Sequence, residues 1–107
     1  MKKHDLKEFW RGWFIGNFEP SLLKTDQFEV GLLTHAQGEL WPKHYHAEHT
    51  EYNLLVKGKM NICGELINTG ELFVLEPNEI ADPEFLEDCI VLCVKQPSVP
   101  GDKHEVL

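Results

Sequence analysis

Between Gly38 and Gly58 the chain reads GELWPKHYHAEHTEYNLLVKG, and three of its six histidines, His44, His46 and His49, fall there beside Glu48 and Glu51. Imidazole nitrogens and carboxylate oxygens are the donors that hold divalent transition metals. In an extended segment, side chains two residues apart leave the same face, so His44 and His46 converge on one point. A turn is expected over Ala47 to Thr50, after which the chain re-enters a strand at Glu51. The Glu51 carboxylate would then close on that point from the neighbouring strand. Two imidazoles and one carboxylate on one side of an ion leave other positions open to water, substrate or dioxygen.

The residues around this trio have humbler expectations. His49 and Glu48 fall within the turn, where a solvated side chain is expected; for His49, service as an alternative ligand to Glu51 is the other reading. Asn53 shares the face of Glu51 by strand alternation, so its amide points inward beside the site. There it orients the carboxylate, contacts a ligand or satisfies a backbone group, since a buried amide needs partners. Trp41 and Tyr45 are expected to pack. Lys95 ends a strongly apolar strand and would reach a substrate carboxylate if it faced inward, but the sequence does not assign its parity.

The elements that must position these side chains are short strands. Candidates are Phe28 to His35, Glu51 to Gly58, Lys59 to Gly64, Glu65 to Gly70, Glu71 to Pro77 and Cys89 to Pro97. Each is apolar, β-branched or aromatic and bounded by a turn signal. Gly58, Gly64 and Gly70 recur at hairpin spacing. This is the rhythm of a small antiparallel sandwich or barrel. Ahead of it, HDLKEFW suits one short helical turn, and GWFIGNFEP is expected to cover an open end of the barrel or lie in a subunit interface. The tail KQPSVPGDKHEVL should leave the last strand as an extended arm.

With 107 residues and 42% apolar content, one modest core is available, so positions 1–107 are expected to form a single domain. The core barrel would span about 28–95, with an aromatic segment at 1–27 and a proline-rich arm at 96–107 packing on it or on a partner subunit. A formal charge of −8 argues against nucleic acid and anionic membrane surfaces as partners, and favours a small molecule, a metal ion or another protein. The charged start MKKHDLKEFW and the lack of a long apolar run lead to the expectation of a cytoplasmic protein. Cys63, Cys89 and Cys93 form no CxxC pair and are expected as free thiols.

The metal-type stretch resembles the first motif of the cupin superfamily: Gly, five residues, His-x-His, three or four residues, Glu, six residues, Gly. Gly38, His44, His46, Glu51 and Gly58 match it without a gap. The second motif, Gly, five residues, Pro-x-Gly, two residues, His, falls on GELFVLEPNEIAD and fits poorly. Read from Gly70, Glu76 stands for the proline, Asn78 for the glycine and Ala81 for the histidine. Asn tolerates the left-handed turn conformation, but Ala cannot bind metal. Asp82 is the nearest residue able to replace the histidine, ahead of Glu79. A shift of one residue turns it to the opposite face unless a bulge restores direction, which the following Pro83 makes reasonable.

The resemblance covers about Phe28 to Lys95. It implies an all-β, cupin-type antiparallel double-stranded β-helix (jelly-roll barrel) with one divalent metal ion inside. His44, His46 and Glu51 would hold the ion, with Asp82 or water completing the shell and Asn53 placed for substrate binding. Iron, manganese, nickel or zinc suits these donors. The function expected is that of a metal-dependent enzyme, of isomerase/epimerase or dioxygenase type, acting on a small polar metabolite such as a sugar or keto/hydroxy acid. The alternative is a non-catalytic small-ligand-binding or accessory module with a degenerate metal site, a reading the failed second motif favours; a barrel serving mainly oligomerisation is a third. Cupins often pair sheet to sheet, so a homodimer is expected.

Overall fold

Alternation makes the two longest strands. Along Thr50–Lys57, Asn53 and Leu55 are buried while Tyr52 and Val56 are exposed; along Cys89–Gln96, Cys89, Val91 and Cys93 are buried in turn. The computed structural model describes residues 1–106. Its strands in chain order are β1 (Trp13–Gly16), β2 (Leu23–Lys24), β3 (Glu29–His35), β4 (His44–Tyr45), β5 (Thr50–Lys57), β6 (Lys59–Ile62), β7 (Glu65–Asn68), β8 (Leu72–Leu75), β9 (Glu84–Phe85), β10 (Cys89–Gln96) and β11 (His104–Glu105).

One sheet has six strands in the order β2-β1-β3-β10-β5-β8, a second has three in the order β7-β6-β9, and β11 pairs with β4. The core lies between the two larger sheets: Leu55, Leu75, Cys89 and Val91 come from one, and Met60, Ile62, Ile67 and Phe85 from the other. This apolar cluster fills one end of the barrel. Towards the other end the inward residues turn polar, to Asn53 and Glu51 on β5 and Lys95 on β10, where Glu51 and Lys95 are cross-strand partners.

Two glycines are needed for this packing. Gly58 joins β5 to β6 at φ +106°, and a Cβ there would stand 2.5 Å from the Asp88 carbonyl oxygen. At Gly31 a Cβ would stand 2.6 Å from the Trp13 ring. Trp13 therefore lies flat across β3 only because position 31 has no side chain.

The chain ends differ in part from expectation. The expected helical turn forms at Leu6–Glu8, capped by Asp5 with Glu8 completing a capping box, and a second short turn follows at Trp10–Gly12. The aromatic segment after it does more than cover an end: as β1 it pairs antiparallel with β3 and extends the large sheet. Its run Trp-Phe-Ile is strand-forming and finds the free edge of β3. The tail leaves β10 after Gln96 as an arm and returns across the barrel, where His104 and Glu105 pair with Tyr45 and His44. Ser98 anchors its start, donating to Glu29 at 2.7 Å and accepting from the Asn17 amide at 2.9 Å.

Candidate metal centre

Strand parity brings three of the predicted donors to one wall. His44 and His46 are both buried, with ring centroids 5.2 Å apart, while Tyr45 between them stacks outward on His104. Glu51 enters from β5, and its Oε2 lies 3.2 Å from His46 Nε2. His44, His46, Glu51 and Asn53 all line an open cleft of about 1210 Å³, together with Trp13, Trp41, Lys95 and Lys103.

The two imidazoles are oriented from behind. His44 Nδ1 lies 2.9 Å from the Pro42 carbonyl oxygen and His46 Nδ1 2.5 Å from that of Asp102. Each ring thus donates Nδ1–H to a backbone carbonyl and turns Nε2 away from it, in His46 towards Glu51, the orientation that metal-binding histidines hold.

His49 departs from expectation. It sits in the turn between β4 and β5 but is only 1% exposed, its ring centroid 4.2 Å from that of His46. Donor atoms of His46, His49 and Glu51 all lie within 4.8 Å of one another. Neither ring nitrogen of His49 has a hydrogen-bond partner among the described residues, although Nδ1 is 3.2 Å from Asp102 Oδ2 without alignment for a bond. A buried imidazole with both nitrogens unpartnered is costly. An ion held among these atoms would relieve it, so the donor chemistry and spacing fit a divalent metal. His46 and Glu51 of the expected trio are thus joined by His49, whereas His44 lies outside this cluster, on the cleft wall.

Asp82 needs a correction. It is exposed and does not line the cleft, and its charge acts on Cys63 instead. Ala81 takes the inward position: it is 1% exposed and bridges to His44 through hydrogen bonds of 3.1 and 2.7 Å. With Ala81 buried and the next residue exposed, the one-residue shift carries Asp82 to the opposite face. Glu79 is likewise outside, near Cys63 and bonded to the Glu76 amide.

Asp102 carried no local signal in the sequence, yet it organises the turn. Its carboxylate, 6% exposed as a residue, accepts from the amides of Ala47 and Glu48 at 2.9 Å each and of His49 at 3.2 Å. Burial works to raise its pKa, but these three amides and His104 outweigh burial and hold it at about 2. Glu51 behaves similarly: burial opposes ionisation, while the His46 hydrogen bond, then Lys95 and the histidines, hold it at about 2. Burial lowers His49 to about 4, with Lys95 adding to the effect. His44 is lowered as well, again by burial first.

No protein-family model matches the chain, and no curated protein matches it in sequence. Solved structures do resemble it in shape. A conserved protein with a double-stranded β-helix domain from Klebsiella pneumoniae superposes with a TM-score of 0.68 at 15% identity, over 94% of this chain and 88% of that one. The bacterial pirin YhhW of Escherichia coli, in complex with nickel(II), gives 0.66 at 19% identity over 82% of this chain and 39% of its own. KdgF from Halomonas sp. gives 0.62 at 21% identity over 70% and 74%. The chain therefore has the cupin, RmlC-like double-stranded β-helix fold, and inside it a His-His-Glu cluster suited to a metal ion.

Two outcomes follow from this geometry. Asp102→Ala should destabilise the protein by about 2 kcal/mol in chemical denaturation, since three amides lose their acceptor. It should also weaken metal binding by about 10–100-fold in competition with a chelating dye. The second concerns pH. With His49 at about 4 in the folded state against 6.5 unfolded, the unfolded chain binds the extra proton between those values. Stability of the metal-free protein is therefore fully present above pH 6.5 and falls as pH drops to 4, by about 3 kcal/mol from this group. Denaturation midpoints that stay level over that window would contradict it, and His49→Gln should flatten the dependence.

Proposed function

We propose that this chain is a metal-dependent cupin enzyme acting on a small polar metabolite, with the ion held by His46, Glu51, His49 and His44. The observation that carries the reading is the state of the histidines. His44 and His46 are each fixed by a backbone carbonyl at Nδ1, His46 turns Nε2 to Glu51 at 3.2 Å, and His49 is buried with both nitrogens unpartnered. In this reading His49, from the turn, supplies the imidazole that Ala81 lacks in the second motif. A bound divalent ion would act as a Lewis acid towards a chelated substrate or as a binding point for dioxygen. The chain's own part is to hold Glu51 ionised, keep the imidazoles aligned from behind and admit the substrate through the open cleft.

A second reading, a non-catalytic ligand-binding or accessory module, draws on Ala81, because the usual motif-two donor is gone. Metal analysis of untagged protein separates the outcomes. About one equivalent of iron, manganese, nickel or zinc is expected, lost in His46→Ala and Glu51→Ala, with His44→Ala and His49→Ala each weakening binding. Protein that neither carries nor takes up metal would sink the enzyme reading. If metal binds but a panel of sugars and keto/hydroxy acids is bound without turnover, the accessory reading takes its place.

For the partner subunit we read the outer face of β5 and β8 as the seat of a second copy. Tyr52, Val56, Leu72 and Val74 lie there, 44% to 73% exposed, and a chain of this size gains core by covering them. Sedimentation equilibrium should show a dimer that Val74→Glu dissociates; a monomer at micromolar concentration would refute it.

A further inference from the structure

The wall beside the metal centre presents more donors than the chain's own acceptors meet. Asn53 is 3% exposed, and its side-chain Nδ2 has no hydrogen-bond partner among the described residues. Its cross-strand partner on β10 is Cys93, and the next inward position is Lys95. The Lys95 ammonium stands 4.7 Å from the centroid of the Trp13 ring and 3.8 Å from Glu29 Oε1, the outer limit of an ion pair. Glu29 meanwhile accepts from the Ser98 hydroxyl at 2.7 Å. From the C-terminal arm, Lys103 reaches the cleft mouth with Nζ 3.7 Å from the Trp41 ring centroid. Among the described residues no carboxylate lies within 4.0 Å of it.

The acids of the cleft are committed or peripheral. Glu51 faces His46; Glu39 accepts from the Trp41 indole at 2.6 Å and lies 2.5 Å from His35 Nδ1. Asp5 caps the first turn, and Glu105 is exposed at the rim. An aromatic face holds an ammonium electrostatically while leaving N–H donors unspent. Two such ammoniums and an unpartnered amide hydrogen call for a ligand that brings acceptor oxygens and negative charge. A neutral sugar would satisfy the amide but leave Lys103 without a carboxylate in contact and Lys95 with only the distant Glu29, at 3.8 Å. With a net charge of −8 the chain repels anions over most of its surface, so capture of an acid depends on this local pair. Lys103 is lowered by burial and then by the nearness of Lys95, a repulsion that a carboxylate between them would remove.

We propose that Asn53, Lys95 and Lys103 form a carboxylate subsite, and that the ligand of this cleft is a small organic acid, of 2-hydroxy or 2-oxo type, whose remaining oxygens face the metal centre. The second half rests on the metal reading above; the subsite itself does not. It selects acids over neutral sugars by the two ammoniums, and Asn53 fixes the orientation of the carboxylate.

The test is an amide-resolved NMR titration of the 107-residue chain, metal-free and zinc-loaded, with glycolate, malate and the neutral isostere glycolamide. Metal content is measured separately on the same samples. The acids should shift the Asn53 side-chain amide and neighbouring β5 and β10 resonances, with glycolamide at least about tenfold weaker. Lys95→Gln and Lys103→Gln should each weaken acid binding about tenfold and the double variant should abolish it, all three keeping the zinc stoichiometry of the parent. Equal binding of glycolate and glycolamide, parental acid binding in the double variant, or no acid binding in either form overturns the proposal. If acids bind in a lysine-dependent way to protein that takes up no zinc, the subsite stands and the metal reading falls.

Discussion

The carboxylate of Asp102 is the contact on which the centre hangs. A turn that must carry His49 inward leaves the amides of Ala47, Glu48 and His49 without strand partners, and one buried, ionised group from the arm accepts all three. The same residue's carbonyl takes Nδ1 of His46, so turn conformation, ring orientation and arm closure are coupled through it. Hydrogen bonds to a charged acceptor inside a protein are stronger than neutral ones, which lets a short irregular segment hold a fixed shape. The arm is thus part of the site.

The barrel interior is divided along its strands. On β5 the inward sequence Leu55, Asn53, Glu51 runs from dry to polar, and on β10 Cys89, Val91, Cys93, Lys95 follows the same course. The apolar end supplies the burial that holds the two sheets together. At the polar end each buried group must find a partner or remain costly. Most do so within the chain. The exceptions are Asn53 Nδ2, on the cleft wall, and both His49 nitrogens, beside His46 and Glu51.

One fold can carry many chemistries because a site occupies few positions. The structural relatives keep the double-stranded β-helix at 15–21% identity. Such likeness says how the scaffold is built and leaves the chemistry to local side chains. Here Ala81 is buried and bridges to His44 through the backbone, and a turn histidine, His49, stands close to His46 and Glu51.

What the sequence determined by itself is what depends on strand period and local chemistry. Six strands, the inward direction of His44, His46, Glu51 and Asn53, and the hairpin glycines follow from alternation over a few residues, because side chains two apart must share a face. The gap-free register that puts Ala81 in the inward position belongs to the same class, and Asp82, one residue on, is exposed. Tertiary structure decided the rest. His49 looked solvated because turns usually are; only the arm, contributing Asp102 from 53 residues away, buries it. The spacing of His46 and His49 was the one available hint. Lys95 faces inward because β10 pairs with β5 in a register that sets it opposite Glu51, and Lys103 reaches the cleft because the arm folds back on β4. These placements depend on long-range pairing, whose energy comes from contacts between segments that no local pattern connects.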